Sequence, residues 1–134
     1  MASCFLVSSD TVTFIITNPT NQPASFGFAV ESSFGLSQRT TLISQRNEVT
    51  PTKPTPCNPP LKLCEQDSHL CITMLAEGAA GLCYPIKTRV LRLFDPKMRT
   101  SPLHQGFCVV FLWNISLEPG EVVVKEVTIG VEEF

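Results

Sequence analysis

Residues 11–30 read TVTFIITNPTNQPASFGFAV, two runs of strand-forming residues joined by a turn. In the first run Val12, Phe14 and Ile16 fall on one face, because successive side chains of a β-strand point to opposite faces. The middle, NPTN, consists of residues that favour turns. The stretch therefore predicts two strands joined by a turn, the first of them in a sheet with one buried face and one mostly wet face.

The same alternation, or a short apolar run, recurs along most of the chain. EVVVKEVTIGVEE, residues 121–133, has one face that is apolar apart from Lys125. FCVVFLW, residues 107–113, is apolar on both faces, which predicts a central strand covered on both sides. The candidate strands are Cys4–Val7, Thr11–Thr17, Ser25–Val30, Thr41–Ser44, Leu70–Ala76, Tyr84–Phe94, Phe107–Ile115 and Val122–Val131.

Short strands separated by proline and glycine turns predict an all-β fold. We expect a single antiparallel β-sandwich of about 7–8 strands, immunoglobulin-like or jelly-roll-like, as one domain over residues 1–134. A helical alternative exists for LCEQDSHLCITMLAEGAAG, residues 63–81, where leucines and a methionine fall near helical spacing. The prediction therefore leaves room for one short helix there.

A proline-rich segment interrupts the strand pattern with TPTKPTPCNPP, residues 50–60. With its flanks it predicts an extended loop or arm over residues 45–62, and a loop of that length is usually functional. It fits the K-x-x-P-x-x-P pattern of ligands that bind aromatic grooves as polyproline helices. The alternative is a crossover between the sheets, in which proline protects exposed backbone from unwanted pairing. The partner-binding candidates in this segment are Lys53, Pro54, Pro56 and Pro59.

Charge is unevenly distributed along the chain. Five of the ten basic residues lie close together with only Asp95 against them, and five of the twelve acids lie near the end. Two solvated edges, or neighbouring strands that pair opposite charges, would explain this pattern. A basic edge that binds an acidic edge of another copy, or a larger partner, would explain it as well. The partner-binding candidates are Lys87, Arg89, Arg92, Lys97 and Arg99, with Glu132, Glu133 and Phe134 at the carboxyl terminus.

The six cysteines would suggest three bridges in a short secreted chain. The amino terminus, MASCFLVSSDTVTFIIT, lacks the basic start and the unbroken apolar run of a signal peptide. This favours an intracellular protein, in the cytoplasm or nucleus or incorporated in a virion, with mostly free thiols. A disulfide-bonded extracellular domain is the alternative.

No catalytic or cofactor-binding motif is visible, whether G-x-S-x-G, H-E-x-x-H, a P-loop or G-x-G-x-x-G. The densest group of possible ligands, CEQDSHLC over residues 64–71, lacks the close cysteine pairs of structural zinc sites. We therefore expect a non-enzymatic protein without metal or cofactor. A cysteine–histidine nucleophile pair brought together by the fold stays open, because such a pair is spatial and has no sequence spacing.

The overall charge argues against nucleic acid and membrane as partners. A net charge of −2 creates no general field that would attract phosphates or anionic lipids. No apolar stretch approaches the ~20 residues that a membrane helix needs. The sequence therefore predicts other proteins as partners, no nucleic acid and no membrane insertion.

The strand, N-P-T turn and strand of residues 11–30 resemble the start of the immunoglobulin-like domains of the major sperm protein type. In that family an apolar strand ends in such a turn, and the next strand begins with a buried aromatic, here Phe26 or Phe28. Family members read acidic partner motifs through a basic groove, and no residue of this sequence can be assigned to that groove. The resemblance therefore implies a fold and leaves function open.

Low charge, the proline-rich segment and the absence of catalytic motifs together favour a structural or interaction protein. Only 16% of the residues are charged, which implies much neutral surface, and neutral surface is often covered by a partner. A minor capsid or cementing protein of a virus would have these properties. The alternative function is an intracellular adaptor module that binds short peptides.

Overall fold

The computed structural model describes residues 5–134, which form ten β-strands and no helix. The prediction of an all-β antiparallel sandwich is confirmed, and the helical alternative for residues 63–81 is not seen, since that stretch contains β-strands. The strands are β1 (Phe5–Thr17), β2 (Ala24–Phe34), β3 (Thr40–Ser44), β4 (Asn47–Val49), β5 (Thr55–Pro56), β6 (Leu61–Glu65), β7 (Leu70–Leu75), β8 (Ala80–Leu91), β9 (Thr100–Leu117) and β10 (Val122–Glu133).

Two antiparallel sheets make up the sandwich. The first has six strands in the order β1-β10-β7-β6-β3-β4, and the second has four in the order β2-β9-β8-β5. Two of the predicted strands merge into β1, and Cys4, at the start of one of them, lies outside the described residues. Strands β4, β5 and β6 were not among the candidates, so residues 5–134 contain ten strands where about 7–8 were expected.

The core is formed mainly by the inner face of β9. Its side chains at 107, 109, 111, 113, 115 and 117 are all at most 5% exposed. As predicted, β9 is central, since β2 and β8 pair with its two edges. The predicted coverage of both faces is only partly right: Cys108 on the outer face is buried, but Leu112 is 42% exposed. No second layer lies over that part of the outer face within residues 5–134.

The predicted alternation of β1 and β10 is confirmed by burial except at Val12, which is 49% exposed. Phe14 and Ile16 of β1, and Val123, Val127 and Ile129 of β10, pack against the core. Phe14 meets Phe28 of the opposite sheet edge to face, with ring centroids 5.3 Å apart. The two runs of residues 11–30 thus lie in different sheets, because β1 belongs to the six-stranded sheet and β2 to the four-stranded one.

The side chain of Asn18 fixes the turn that carries the chain from one sheet to the other. Its Nδ2 donates to the carbonyl oxygens of Gln22 at 2.7 Å and Leu117 at 3.2 Å. Its Oδ1 accepts from the backbone N and the hydroxyl of Thr20 at 3.1 and 2.7 Å. Asn18 is only 4% exposed, so these bonds satisfy a polar group that would otherwise be costly to bury.

The proline-rich segment crosses between the sheets twice. Strand β4 pairs with β3 in the six-stranded sheet, β5 pairs with β8 in the four-stranded sheet, and β6 returns to the first. The backbone N of Cys57 donates to the carbonyl oxygen of Gly81, and a Cβ at Gly81 would overlap the carbonyl of Cys57. The strand-free loop predicted over residues 45–62 is therefore not confirmed, and the segment has the crossover role of the alternative interpretation.

Of the five cysteines within residues 5–134, two are bonded to each other and three are free. Cys64 and Cys71 are direct neighbours on β6 and β7 and form a disulfide. The predicted free thiols are seen at Cys57, Cys83 and Cys108, which are all buried. The bonded pair, Cys64 and Cys71, is the exception to the prediction of mostly free thiols. Their pairing could not be predicted, because it depends on the register of β6 and β7, and β6 was not among the candidate strands.

We expect the free thiols to be unreactive in the folded protein. Burial raises the pKa of Cys57 to about 11 and that of Cys83 to about 12, so the reactive thiolate is scarce at pH values near neutrality. Iodoacetamide at about pH 8 should leave both unlabelled until guanidinium unfolds the chain. Peptide mapping by mass spectrometry checks this. Fast labelling of Cys83 in the native state, or labelling of Cys64 without reductant, would contradict it.

Candidate protein-interaction site

Strands β8 and β9 extend beyond their neighbours as a free hairpin. Strand β2 pairs with β9 only over residues 107–117, and β5 pairs with β8 only at residues 82–83. Within the described part of the chain, residues 87–91 of β8 pair only with residues 100–104 of β9. We call residues 87–104 the distal hairpin and residues 92–99 its tip. At the base, Nε2 of His104 lies 2.7 Å from the carbonyl oxygen of Leu36.

The tip is an ordered turn built around Asp95. Its carboxylate accepts from the backbone N of Lys97 at 2.9 Å and from Nε of Arg99 at 2.7 Å. Its carbonyl oxygen accepts from the backbone N of Met98 at 3.0 Å. The side chain of Asp95 is only 6% exposed, and the guanidinium of Arg99 lowers the pKa of its carboxyl. The carboxylate is therefore charged near neutral pH and holds the turn together.

This turn presents apolar side chains to solvent. Phe94 is 100% exposed, Leu93 is 84% exposed and Met98 is 68% exposed. Phe94 has φ of 62° and Met98 has φ of 50°, the left-handed region that bulky residues rarely adopt. A strained backbone that keeps a ring in water is unfavourable for the isolated molecule, and such strain is typical of binding sites. The tip thus leaves Phe94 exposed on an ordered turn.

The exposed ring lies on a hairpin that is rich in basic residues. The hairpin carries five basic residues against one acid, and among the described ion pairs only Arg99 has a carboxylate partner, Asp95. The acidic strand β10 lies in the other sheet, so β8 and β10 do not neutralise each other as neighbouring strands. The candidates predicted in this stretch all lie on the distal hairpin, as sequence neighbours must, and they are Lys87, Arg89, Arg92, Lys97 and Arg99.

We expect Asp95→Ala to disorder the tip without unfolding the sandwich. The change removes both hydrogen bonds that the carboxylate accepts, while the tip contacts nothing in the core. Hydrogen exchange should become faster at the amide of Lys97, with an unchanged melting temperature. Lys97→Ala, in the same turn, leaves the carboxylate in place and is the control. A large fall in melting temperature would contradict the separation between tip and core.

The other predicted candidates lie elsewhere and in two groups. Lys53, Pro54 and Pro56 are exposed at β5, the edge strand of the four-stranded sheet, where proline interferes with pairing to another chain. Pro59 is partly buried and lies apart from them beside β10. The structure does not bring this segment to the distal hairpin.

The carboxyl terminus is fastened to the six-stranded sheet. Nζ of Lys62 lies 2.8 Å from a carboxylate oxygen of Glu132, an ion pair that crosses over β7. The backbone N of Phe134 donates to the carbonyl oxygen of His69, and the two rings meet edge to face. Glu133 is exposed. Glu132 and Phe134 therefore have partners inside the chain. Glu133 pairs with Leu70 through its backbone, and among the described contacts its side chain makes no hydrogen bond, ion pair or ring contact.

A groove beside β10 is the feature that sequence reasoning missed. Strand β7 ends opposite Thr128, so residues 122–127 of β10 pair only with β1 and leave one edge open. A cavity of about 740 Å³ lies there, and we call it the β10 groove. Its lining includes Pro59, Pro60, Leu75, Glu77, Lys125 and Glu126. The groove depends on where two strands end relative to each other, which the alternation of side chains does not reveal.

The cysteine–histidine pair left open by the sequence does not occur among the described hydrogen bonds. Cys108 lies 3.4 Å from a carboxylate oxygen of Glu31, which accepts from the hydroxyl of Tyr84 at 2.8 Å. Burial raises the pKa of the Cys108 thiol, and the nearby carboxylate raises it further. A thiol in these surroundings is a poor nucleophile. Across residues 5–134 no group of three or more possible metal ligands is seen.

No helix among residues 5–134 is long and apolar enough to cross a membrane.

Comparisons with other proteins leave the resemblance to the major sperm protein type as a prediction. No protein-family model, no curated protein and no solved structure matches this chain.

Proposed function

We propose that the protein is a non-enzymatic interaction protein that binds a partner protein through the distal hairpin. The observation that carries this proposal is the complete exposure of Phe94 on a turn that Asp95 holds in order. A disordered loop could hide or release such a ring at little cost, but an ordered turn keeps it available. Binding would therefore fix few additional bonds, which favours affinity.

The composition of the hairpin is that of a binding hot spot. Aromatic and arginine side chains are enriched among the residues that dominate binding energy, and methionine is enriched in interfaces. Phe94 and Met98 would supply the apolar centre, while Arg92 and Lys97 would form a charged rim. The basic side chains are shared between both faces of the hairpin, so they form no single track for a phosphate backbone. This supports a protein partner rather than nucleic acid.

The setting follows as part of the same proposal. A small β-sandwich with few charges and a protruding contact element suits a structural subunit of a larger assembly, for instance a minor capsid or cementing protein of a virus, made inside a cell. A peptide-binding adaptor is the second candidate, and the observation in its favour is the β10 groove with its open strand edge.

The test is a crosslinking pull-down from the native source with three versions of the tagged protein. We expect the wild type and Phe26→Ser to recover the same partner and Phe94→Asn to lose it. Phe26 is a matched control, because it is an aromatic residue that is 40% exposed and lies on β2, an edge strand of the same sheet, outside the distal hairpin. Asparagine tolerates the left-handed backbone at position 94, so the turn should keep its shape. Equal recovery with Phe94→Asn would overturn the proposal.

A further inference from the structure

The distal hairpin and the β10 groove lie at opposite ends of the molecule. Strand β9 begins next to the tip, at Thr100, and reaches Trp113 after 13 positions. That span is about 40 Å along an extended strand. Trp113 marks the groove end, because its Nε1 donates to the carbonyl oxygen of Glu77 at 2.9 Å. A tip cannot reach the groove of its own chain across that distance. It can reach the groove of a second copy.

The charges of the two ends are complementary. The distal hairpin has five basic residues and one acid within positions 87–99. The groove is lined by Glu77 and Glu126 with Lys125 as the single base, and the adjoining β9–β10 turn adds Glu118 and Glu121. Opposite potentials of this kind steer two surfaces together and fix their register.

The apolar parts match as well. Around the groove Leu75 is 52% exposed and Val124 is 51% exposed, and Pro59 and Pro60 form part of its wall. The open edge of residues 122–127 leaves backbone carbonyl groups that can accept hydrogen bonds from guanidinium groups. A ring such as that of Phe94, entering between aliphatic side chains with arginines beside it, would satisfy both kinds of contact.

We infer that the hairpin tip of one copy docks in the β10 groove of a second copy. This inference rests on the proposed function and names the partner as the chain itself. The contact joins two different surfaces, so each copy keeps one free tip and one free groove. Association of this type is head to tail and continues into a ring or a filament.

Sedimentation velocity with the full chain tests the inference through two variants that each lose one end. Phe94→Asn removes the ring but keeps the groove, and Glu126→Lys reverses a groove charge but keeps the tip. We expect the wild type to form species larger than a dimer, and each variant alone to associate about tenfold or more weakly. Because their intact ends are complementary, an equimolar mixture should give a dimer and nothing larger.

Glu48→Lys is the matched control, since it makes the same charge change at an exposed position of β4 outside the groove lining. It should associate like the wild type. A wild type that stays monomeric at millimolar concentration overturns the inference, and so does a variant mixture that fails to dimerise. If the wild type is monomeric while Phe94→Asn still loses its partner in the pull-down, self-docking fails and the proposed function survives.

Discussion

Phe111→Ala should lower the free energy of unfolding by about 3–5 kcal/mol, the usual cost of removing a large buried aromatic side chain. Phe111 is completely buried at the centre of β9, with β2 and β8 on either side. The deletion removes apolar area from the contact between the two sheets and leaves a cavity that rigid neighbouring strands cannot fill. Urea denaturation followed by fluorescence of the single tryptophan, Trp113, measures the loss.

Leu112→Ala is the matched control for this change. It removes a side chain of similar chemistry from the next position of the same strand, but Leu112 points to the outer face and is 42% exposed. We expect it to cost no more than about 1 kcal/mol. Equal losses for the two variants would mean that β9 is covered on both faces, as its sequence alone suggests, and would contradict the observed outer face.

Sequence alone predicted the strands whose alternation is strong and missed those whose pattern is ambiguous. In β1 and β10 apolar residues recur at every second position over several residues, with Lys125 as an exception, so the buried face could be predicted from the alternation. Residues 61–65, LKLCE, were missed because their leucines also fit helical spacing with the residues that follow. Pairing with β3 and β7 decides between the two periods, and that pairing is a tertiary interaction.

The candidate site shows the same limit. The basic cluster could be predicted from sequence, since five charges in a short span need no structure to be noticed. The exposure of Phe94 could not be predicted, because Phe94 was placed as the last residue of a strand, whereas β8 ends at Leu91 and Phe94 lies in a left-handed turn. Asp95-Pro96 signals a turn, but only the hydrogen bonds of Asp95 show that the turn is ordered.

Asn18→Ala should cost about 2–3 kcal/mol, a large effect for an asparagine next to a proline turn. The change takes the amide donor from the buried carbonyl oxygen of Leu117 and from that of Gln22, which keeps a bond from the Thr20 hydroxyl at 3.0 Å. It also removes the acceptor of two bonds from Thr20. Losing one partner of a buried hydrogen bond costs the desolvation of the group left behind. Asn21→Ala, at an exposed position of the same turn, should change stability by less than about 0.5 kcal/mol.

Asn18→Asp distinguishes the hydrogen bonds from simple filling of space, because it keeps the size of the side chain and removes the amide donor. At neutral pH a carboxylate would face two carbonyl oxygens, so its folded pKa should rise above the usual Asp value of about 3.9. A group whose folded pKa is raised stabilises the fold below its unfolded pKa and loses that contribution as the pH rises through the folded value. The deficit of Asn18→Asp against the wild type, measured by urea denaturation, should therefore shrink between about pH 7 and pH 4. A deficit that is constant over this range would mean that the hydrogen bonds donated by Asn18 do not stabilise the turn between the two sheets.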